Sequence, residues 1–310
     1  MHNFITYEES DFPSHIHKLK SLYIELFSGG KGFRARLVTL LADPLALPNN
    51  TSICLQKVVE YIHNSSLLHD DLIDGSPLRR GKTAAWKNYG PDHAVLAGDF
   101  LLAKVISLLS KNTNIELVSY TADVIMNLIE GEWIQDDIRH KTNISMADIN
   151  HVHNLKTASL KKWCLRAPFY ALNNTDEKLH ALLEEIGRLM GVLFQRADDL
   201  IDYDIRNTEN KNILGDHKSG YLNSFAIFAL QEQSDNYKKD FLQLNELEKI
   251  QEYIGNTNWQ NKIKAFDEIN TELVNQYNNE LNKLEELLTG KEKEICTQLL
   301  PLGHLLYWRK

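Results

Sequence analysis

The sequence predicts an all-α protein with a single domain, and three observations carry that expectation. Apolar residues recur at helical spacing: across residues 98–110, Leu101, Leu102, Val105, Ile106, Leu108 and Leu109 fall on one stripe. The strict apolar–polar alternation of a half-buried strand is hard to find anywhere. Seven prolines in 310 residues leave long stretches with neither Pro nor Gly to interrupt a helix.

Each element follows from the same signals. Helical stripes continue through residues 117–134, 179–193, 224–230 and 273–288, and the whole pattern implies about ten or more helices of ordinary length. Breaks fall at residues 43–51, 75–77, 89–91, 141–145, 173–175, 206–219 and 255–259. None is a Ser/Gly/Pro-rich linker long enough to separate domains, so residues 1–310 are expected to form one domain. Composition agrees with a globular chain, at 43% apolar and 25% charged residues. A net charge of −8 disfavours broad binding to nucleic acid or to anionic membranes. Cys54, Cys164 and Cys296 stand far apart with no CxxC or zinc spacing, which suits reduced thiols in a cytoplasmic protein. The N-terminal residues carry no secretory pattern, and no uninterrupted apolar run has the length of a membrane span.

The pentapeptide DDLID occurs twice, at residues 70–74 and 198–202, each time after a strongly apolar segment. The segments around the two copies share little else, which argues against a repeat architecture. At the end of a helix, Asp70 and Asp74 would share one face, where like charges repel and the helix dipole opposes them. Two such costs in one chain imply a compensating charge. A hard divalent cation fits, since Mg²⁺ takes oxygen ligands and is usually shared between carboxylates and substrate phosphates. Basic groups lie close by in sequence. GGKGFRAR, residues 29–36, reads as a Gly-rich turn that opens a helix, with Lys31 and Arg34 on its first turns, a phosphate-binding arrangement. Taken alone it is an ordinary loop. Arg79 and Arg80 follow the first copy, and Arg suits bidentate phosphate binding.

These motifs together, EYIHNSSLLHDDLIDGSPLRRGKTAAWKNYG, AVLAGDFLL, KTASL and FQRADDLID, resemble the trans-isoprenyl diphosphate synthases from Gly29 to about Gly220, with a weaker echo in the final YWRK. The resemblance implies an isoprenoid-synthase helical bundle around a deep central pocket, with a homodimer expected and a heteromer as the alternative. It implies condensation of an allylic diphosphate with isopentenyl diphosphate, head to tail, with release of pyrophosphate. By the resemblance, Asp70, Asp74 and Asp198 coordinate three Mg²⁺ ions, and Asp71, Asp199 and Asp202 support that shell or bind through water. Arg79, Lys156, Thr157, Gln195 and Lys211 match residues around the allylic diphosphate. Lys31, Arg34, His63 and Arg80 match the isopentenyl diphosphate site. No protein general base is named, because in the family the pyrophosphate is the favoured base.

Product length follows from the helix that ends in the first copy. Ser66 and Ser65 stand four and five residues before Asp70, where short-chain members often carry aromatic residues, and Ile62 and Val59 form the next layer. Small side chains there leave room for a tail, and the first copy lacks a two-residue insertion, so a product of C20 or longer is expected, one that would draw the protein to a membrane surface. The alternative is that both serines face a neighbouring helix.

Two departures stand out. Gly32 replaces an arginine of the usual GGKRLRP-type loop. Tyr221 stands where the family has a lysine, with Lys218 nearby as the substitute; losing one charged contact would cost about 1.5–3 kcal/mol. Reduced activity or a role as one subunit of a heteromer would follow. A class I terpene cyclase would have no use for Lys31, Arg34 and His63. A metal-dependent phosphohydrolase reading of His69–Asp70, with His63 as a further ligand, leaves the second DDLID unexplained. His151 and His153 are expected to cap or face solvent. Trp133 and Trp163 are expected in the core, and the KEKE run at residues 291–294 at a solvated helix start.

Overall fold

A computed structural model describes residues 6–28, 30, 32–79, 81–203 and 213–308. Helix accounts for 77% of it, as the periodicity required. The strands among the described residues are one two-residue hairpin. The chain divides into two compact units. The first comprises the residues up to Met126 with Leu160–Glu184 and Leu288–Ile295; the second comprises Asn127–Ser159, Glu185–Leu287 and the residues from Cys296 on.

The first unit contains α1 (His17–Phe27), α2 (Phe33–Ala42), α3 (Asn49–Ile73), the hairpin β1 (Leu78–Arg79) and β2 (Lys82–Thr83), α4 (Ala85–Tyr89) and α5 (Pro91–Asn112). It also holds the start of α6 (Ile115–Asp137). α3 is its central element: Leu55, Val58, Val59 and Ile62 are buried, and so are Ala97, Leu101, Val105 and Leu109 on α5. The two helices approach closely at Gly98, where a Cβ would lie 2.2 Å from the His69 ring. An N-terminal segment lies over this pair. Phe12 packs its ring 4.4 Å from that of Tyr23, and Asp11 accepts from Tyr61 at 2.8 Å and pairs with Lys57 at 2.7 Å and Lys104 at 3.1 Å. Burial pushes the Asp11 carboxyl up, and these partners outweigh it and hold it below the usual range.

The second unit takes the rest of α6, α7 (Met146–Lys156), and the C-terminal portion of α9 (Glu177–Ile201). Between these two in sequence, α8 (Ser159–Ala171) lies almost wholly in the first unit. Four short helices follow in the second unit, α10 (Gly215–Lys218), α11 (Ser224–Ala229), α12 (Asp235–Leu242) and α13 (Leu247–Ile254), then the long α14 (Asn256–Leu287) and most of α15 (Glu294–Trp308). Its core centres on Tyr203, Phe225, Phe241, Trp259 and Phe266, all buried and stacked edge-on or tilted against one another.

Several sequence expectations shift. The break at residues 255–259 contracts to Gly255, whose φ of +91° ends α13, and Trp259 is already buried in α14. Trp133 is 71% exposed rather than packed, because a stripe with helical period does not say which side meets its own core; Trp163 is fully buried and donates to the Thr121 hydroxyl at 2.9 Å. The KEKE run forms an exposed 3₁₀ turn, Gly290–Lys293, before α15. α5 is long and apolar enough to cross a membrane by length and composition, although Asp99 and Lys104 interrupt it.

Candidate active site

Both DDLID copies close a long helix. In the first unit, α3 ends at Ile73 with Asp74 as its C-cap. The amide of Asp74 bonds the carbonyl of Asp70 at 2.8 Å, and the amide of Ser76 bonds that of Asp71 at 2.9 Å. Gly75 (φ +61°) and Gly81 (φ +75°) supply left-handed turns into and within the hairpin, where Arg79 pairs with Lys82 in register. The hairpin returns Arg79 to Asp71: Nε donates to Oδ1 at 2.8 Å and Nη2 donates to the same oxygen. Asp71 is buried, Asp70 half-buried and Asp74 exposed. The middle aspartate is thus fastened and the outer two remain at the helix end.

The start of α2 is built nearby in the same unit. Gly32 caps it with φ 58° and ψ 33°. The amide of Ala35 donates to Glu60 Oε1 at 3.1 Å, placing a buried carboxylate at the positive end of this helix. Glu60 was not singled out by sequence, though it sits one turn before His63 on α3. Arg34 and His63 are half-buried, and the Cys164 thiol lies 3.7 Å from the Arg34 carbonyl. Burial pushes that thiol up, against the pull of Arg34. Lys31, Arg80 and Lys211 lie outside the described residues.

Ser65 is buried and its hydroxyl donates to the Gly98 carbonyl of α5 at 2.9 Å, so Ser65 faces a neighbouring helix. Ser66 is half-buried and turns its hydroxyl back to the His63 carbonyl at 2.9 Å. Ile62 and Val59 are buried.

In the second unit the other copy is held by a longer chain of bonds. Gly191 lets α9 pack on the turn after α7, where a Cβ would lie 2.3 Å from that of Ala158. One turn later, the Thr157 hydroxyl donates to Gln195 Oε1 at 2.8 Å, and Gln195 Nε2 donates to Asp199 Oδ1 at 2.9 Å. Asp199 Oδ2 accepts from the Ser224 amide at 3.0 Å and hydroxyl at 2.6 Å, and lies 3.3 Å from His153 Nε2. Burial pushes the Asp199 carboxyl up, but His153 and the bonds from Ser224 and Gln195 outweigh it and hold it below the usual range. His153 is therefore buried in the site instead of facing solvent; its position three residues before Lys156, on one face of α7, was the available signal. His151 is exposed, as expected.

Asp202 accepts from the Gly215 amide at 2.7 Å, and its other oxygen is shielded with no hydrogen-bond partner among the described residues. Burial pushes its carboxyl up to about 6, with the charge of Asp199 adding and backbone amides opposing. Asp216 follows the same logic: burial and the charges of Asp202 and Asp199 push it up to about 7, against Asn223 and Lys156. Lys156 forms an ion pair with Glu132 of α6. Tyr221 is buried, and burial with the charges of Asp199, Asp216 and Glu132 keeps its phenol protonated. Lys218 is exposed at the end of α10.

Among the described residues, no group of three His, Cys, Asp or Glu side chains is placed to hold a metal by itself. Mg²⁺ needs fewer, because it keeps water and shares ligands with phosphate. The buried, unpartnered oxygen of Asp202 and the all-carboxylate donor set fit such an ion.

Comparisons with known proteins show which family the chain is similar to. Residues 16–255 match the family described as polyprenyl synthetase. A prenyl transferase of Cyanidium caldarium is 31% identical over 283 residues, covering 87% of this chain and 83% of that protein. The octaprenyl diphosphate synthase of Haemophilus influenzae is 34% identical over 194 residues, covering 62% of this chain and 58% of the relative, so that match spans little more than half of the relative's length. Farnesyl as well as octaprenyl synthases are among the relatives. A polyprenyl synthase structure from Caulobacter crescentus, complexed with calcium and isoprenyl diphosphate, superposes with a TM-score of 0.81 at 25% identity, covering 97% of this chain and 92% of that one. The chain belongs to the polyprenyl synthetase family, whose members are trans-prenyltransferases and depend in general on Mg²⁺.

Proposed function

We propose that the protein condenses an allylic diphosphate with isopentenyl diphosphate, head to tail, to make a product of C20 or longer. The observation that carries this reading is the shared build of the two acidic helix ends. In each, the second aspartate is buried and fastened, Asp71 by Arg79 and Asp199 by Ser224 and Gln195, while the first and fifth stand less buried at the helix terminus. Residues 1–310 act as one domain in this reading; α6, α9 and α15 each supply residues to both units, and the family match runs through both.

Asp70, Asp74 and Asp198 would hold three Mg²⁺ ions, with Asp71, Asp199 and Asp202 supporting them. When bound, the metal offsets the charge that develops on the departing pyrophosphate. Arg79, Lys156, Thr157, Gln195 and Lys211 orient the allylic diphosphate, and Lys31, Arg34, His63 and Arg80 hold the isopentenyl diphosphate. The allylic C–O bond breaks with its electron pair going to pyrophosphate. The π-bond of isopentenyl diphosphate forms the new C–C bond, and the proton lost next goes to pyrophosphate. Apolar side chains of α3, among them Ile62 and Val59, keep water from the cation in a central pocket. With Ser65 bonded to α5, Ser66 becomes the closer neighbour of the growing tail.

A homodimer is the expected assembly, with a heteromer as the alternative. Support comes from α6, where Met126, Ile129 and Trp133, spaced three and four apart, are 59%, 58% and 71% exposed. The protein is placed in the cytoplasm, acting at the membrane surface when its product is long.

The deciding experiment supplies the purified protein with Mg²⁺, isopentenyl diphosphate and farnesyl diphosphate, and measures the chain length of dephosphorylated products. Elongation to C20 or beyond is expected. Failure to elongate any allylic primer would remove the synthase reading for the isolated chain, and a C15 ceiling with shorter primers would remove the length assignment.

A further inference from the structure

The opening of α2 is fastened by other means than the rest of that helix. Leu37, Val38, Leu41 and Ala42 are buried and fix α2 by packing. Phe33 and Arg34 on its first turn are half-buried, and two polar contacts reach this turn from outside the helix. The first four amides of a helix have no partner within it. Here the Ala35 amide finds one in Glu60 Oε1 of α3, at 3.1 Å. The carbonyl of the same peptide group, that of Arg34, accepts from the Cys164 thiol of α8 at 3.7 Å. One peptide group is therefore gripped at both ends by side chains of two different helices. All of these residues belong to the first unit.

A carboxylate is a demanding choice for such a grip. Glu60 is 5% exposed, and a buried carboxylate is strongly destabilising unless something answers its charge. The positive end of α2 does so, and a hydrogen bond to a charged acceptor is stronger than one to a neutral oxygen. Cys164 is fully buried, and burial, against the pull of Arg34, keeps its thiol protonated and able to donate. His63 follows Glu60 by three residues on α3, so the two share one face of that helix. Glu60 thus ties the turn that carries Arg34 to the face that carries His63.

We infer that Glu60 is a positioning residue, which holds the Arg34–Ala35 peptide group against α3 and so sets the spacing of Arg34 and His63 that isopentenyl diphosphate meets; this rests on the reading of Arg34 and His63 as residues of the isopentenyl diphosphate site. With Leu37 and Leu41 still packed, a turn released from Glu60 would keep its helix and lose its fixed place relative to His63. Small misplacements of a binding group weaken binding steeply, so the affinity for isopentenyl diphosphate should fall while the fold persists.

Glu60→Ala, Arg34→Ala and the double variant test it. KM is measured for isopentenyl and farnesyl diphosphates in Mg²⁺, and amide hydrogen exchange is followed at the first turn of α2. Arg34→Ala should raise KM for isopentenyl diphosphate about 30-fold, as for loss of a charged hydrogen-bonding group. Glu60→Ala should raise it about 10-fold and leave KM for farnesyl diphosphate within about twofold. The same variant should speed exchange of the Ala35 amide about 10-fold. In the Arg34→Ala background it should add less than about threefold. Glu60→Gln, whose side-chain carbonyl can still accept from the Ala35 amide, should restore most of the affinity. Glu60→Met fills similar space without an oxygen acceptor and takes the place of Glu60→Ala if that variant does not fold. Equal rises in both KM values, or losses that multiply in the double variant, would overturn the positioning role, since a residue that only supports the fold would give them. An unchanged KM for isopentenyl diphosphate, or unchanged exchange at Ala35, beside an impaired Arg34→Ala would overturn the inference alone. An unimpaired Arg34→Ala would overturn the site assignment beneath it.

Discussion

The two copies of DDLID are identical in sequence and differ in how the protein holds them. At the end of α3, Asp71 is fastened by one cation, Arg79, delivered by a hairpin that follows immediately in sequence. At the end of α9, Asp199 is fastened by three neutral donors and a histidine drawn from α7, α9 and α11. The first arrangement is local and partly open to solvent; the second is long-range and closed. Five letters fix a helix end and a set of carboxylates, and the surroundings decide whether charge or hydrogen bonding keeps them in place.

The comparison can be broken most directly at the two middle aspartates. Asp199→Asn puts an amide where two donors converge and should destabilise the fold by about 3 kcal/mol. Asp71→Asn can still accept from Arg79, which is itself partly exposed, and should cost about 1 kcal/mol. Urea unfolding of both variants measures the difference, and equal losses would mean that the two copies are held alike. The glycines give a second contrast. Gly191→Ala meets Ala158, including its backbone, and should cost about 2 kcal/mol. Gly98→Ala meets only the movable ring of His69 and should cost about 0.5 kcal/mol, read as a small shift in melting temperature.

A pH series sharpens the picture of the second copy. His217 lies behind it, with Nε2 2.6 Å from the Leu244 carbonyl and Nδ1 3.3 Å from the Tyr203 hydroxyl, so Nε2 carries the proton and Nδ1 accepts. Burial lowers its pKa from 6.5. Above pH 6.5 neither state takes a proton there and the full stability is present; below it the unfolded chain binds a proton that the folded chain resists. His217→Gln should therefore reduce the stability lost between pH 7.5 and 5.5, measured by urea unfolding at both values. An effect as small as that of Gly98→Ala is expected from Arg79→Lys, which keeps the charge and loses the forked geometry, at about 0.5 kcal/mol in the same assay.

Much of this was legible in sequence. Each DDLID does end a helix and Gly32 does open one, because motif and helical period act locally. What escaped were partners supplied from elsewhere in the chain. Glu132 sits on an apolar stripe of α6 and pairs with Lys156 of α7. His153 lies in a polar HVHN stretch whose outward appearance hides that one of its two histidines turns inward. Trp133 has core composition on an exposed face. Ser65 looked free to line a pocket and is bonded to α5. In each case the deciding quantity is which face of a helix meets which neighbour, and a one-dimensional pattern does not contain it.

The glycine at the start of α2 shows what such a departure commits the chain to. Gly32 holds φ 58° and ψ 33°. A residue with a Cβ would be strained there by about 1–2 kcal/mol. The missing arginine at this position is therefore tied to a backbone shape, and putting a basic side chain back would bend the entrance to the helix. A cation at this helix start is therefore better carried by a neighbouring position than by residue 32 itself.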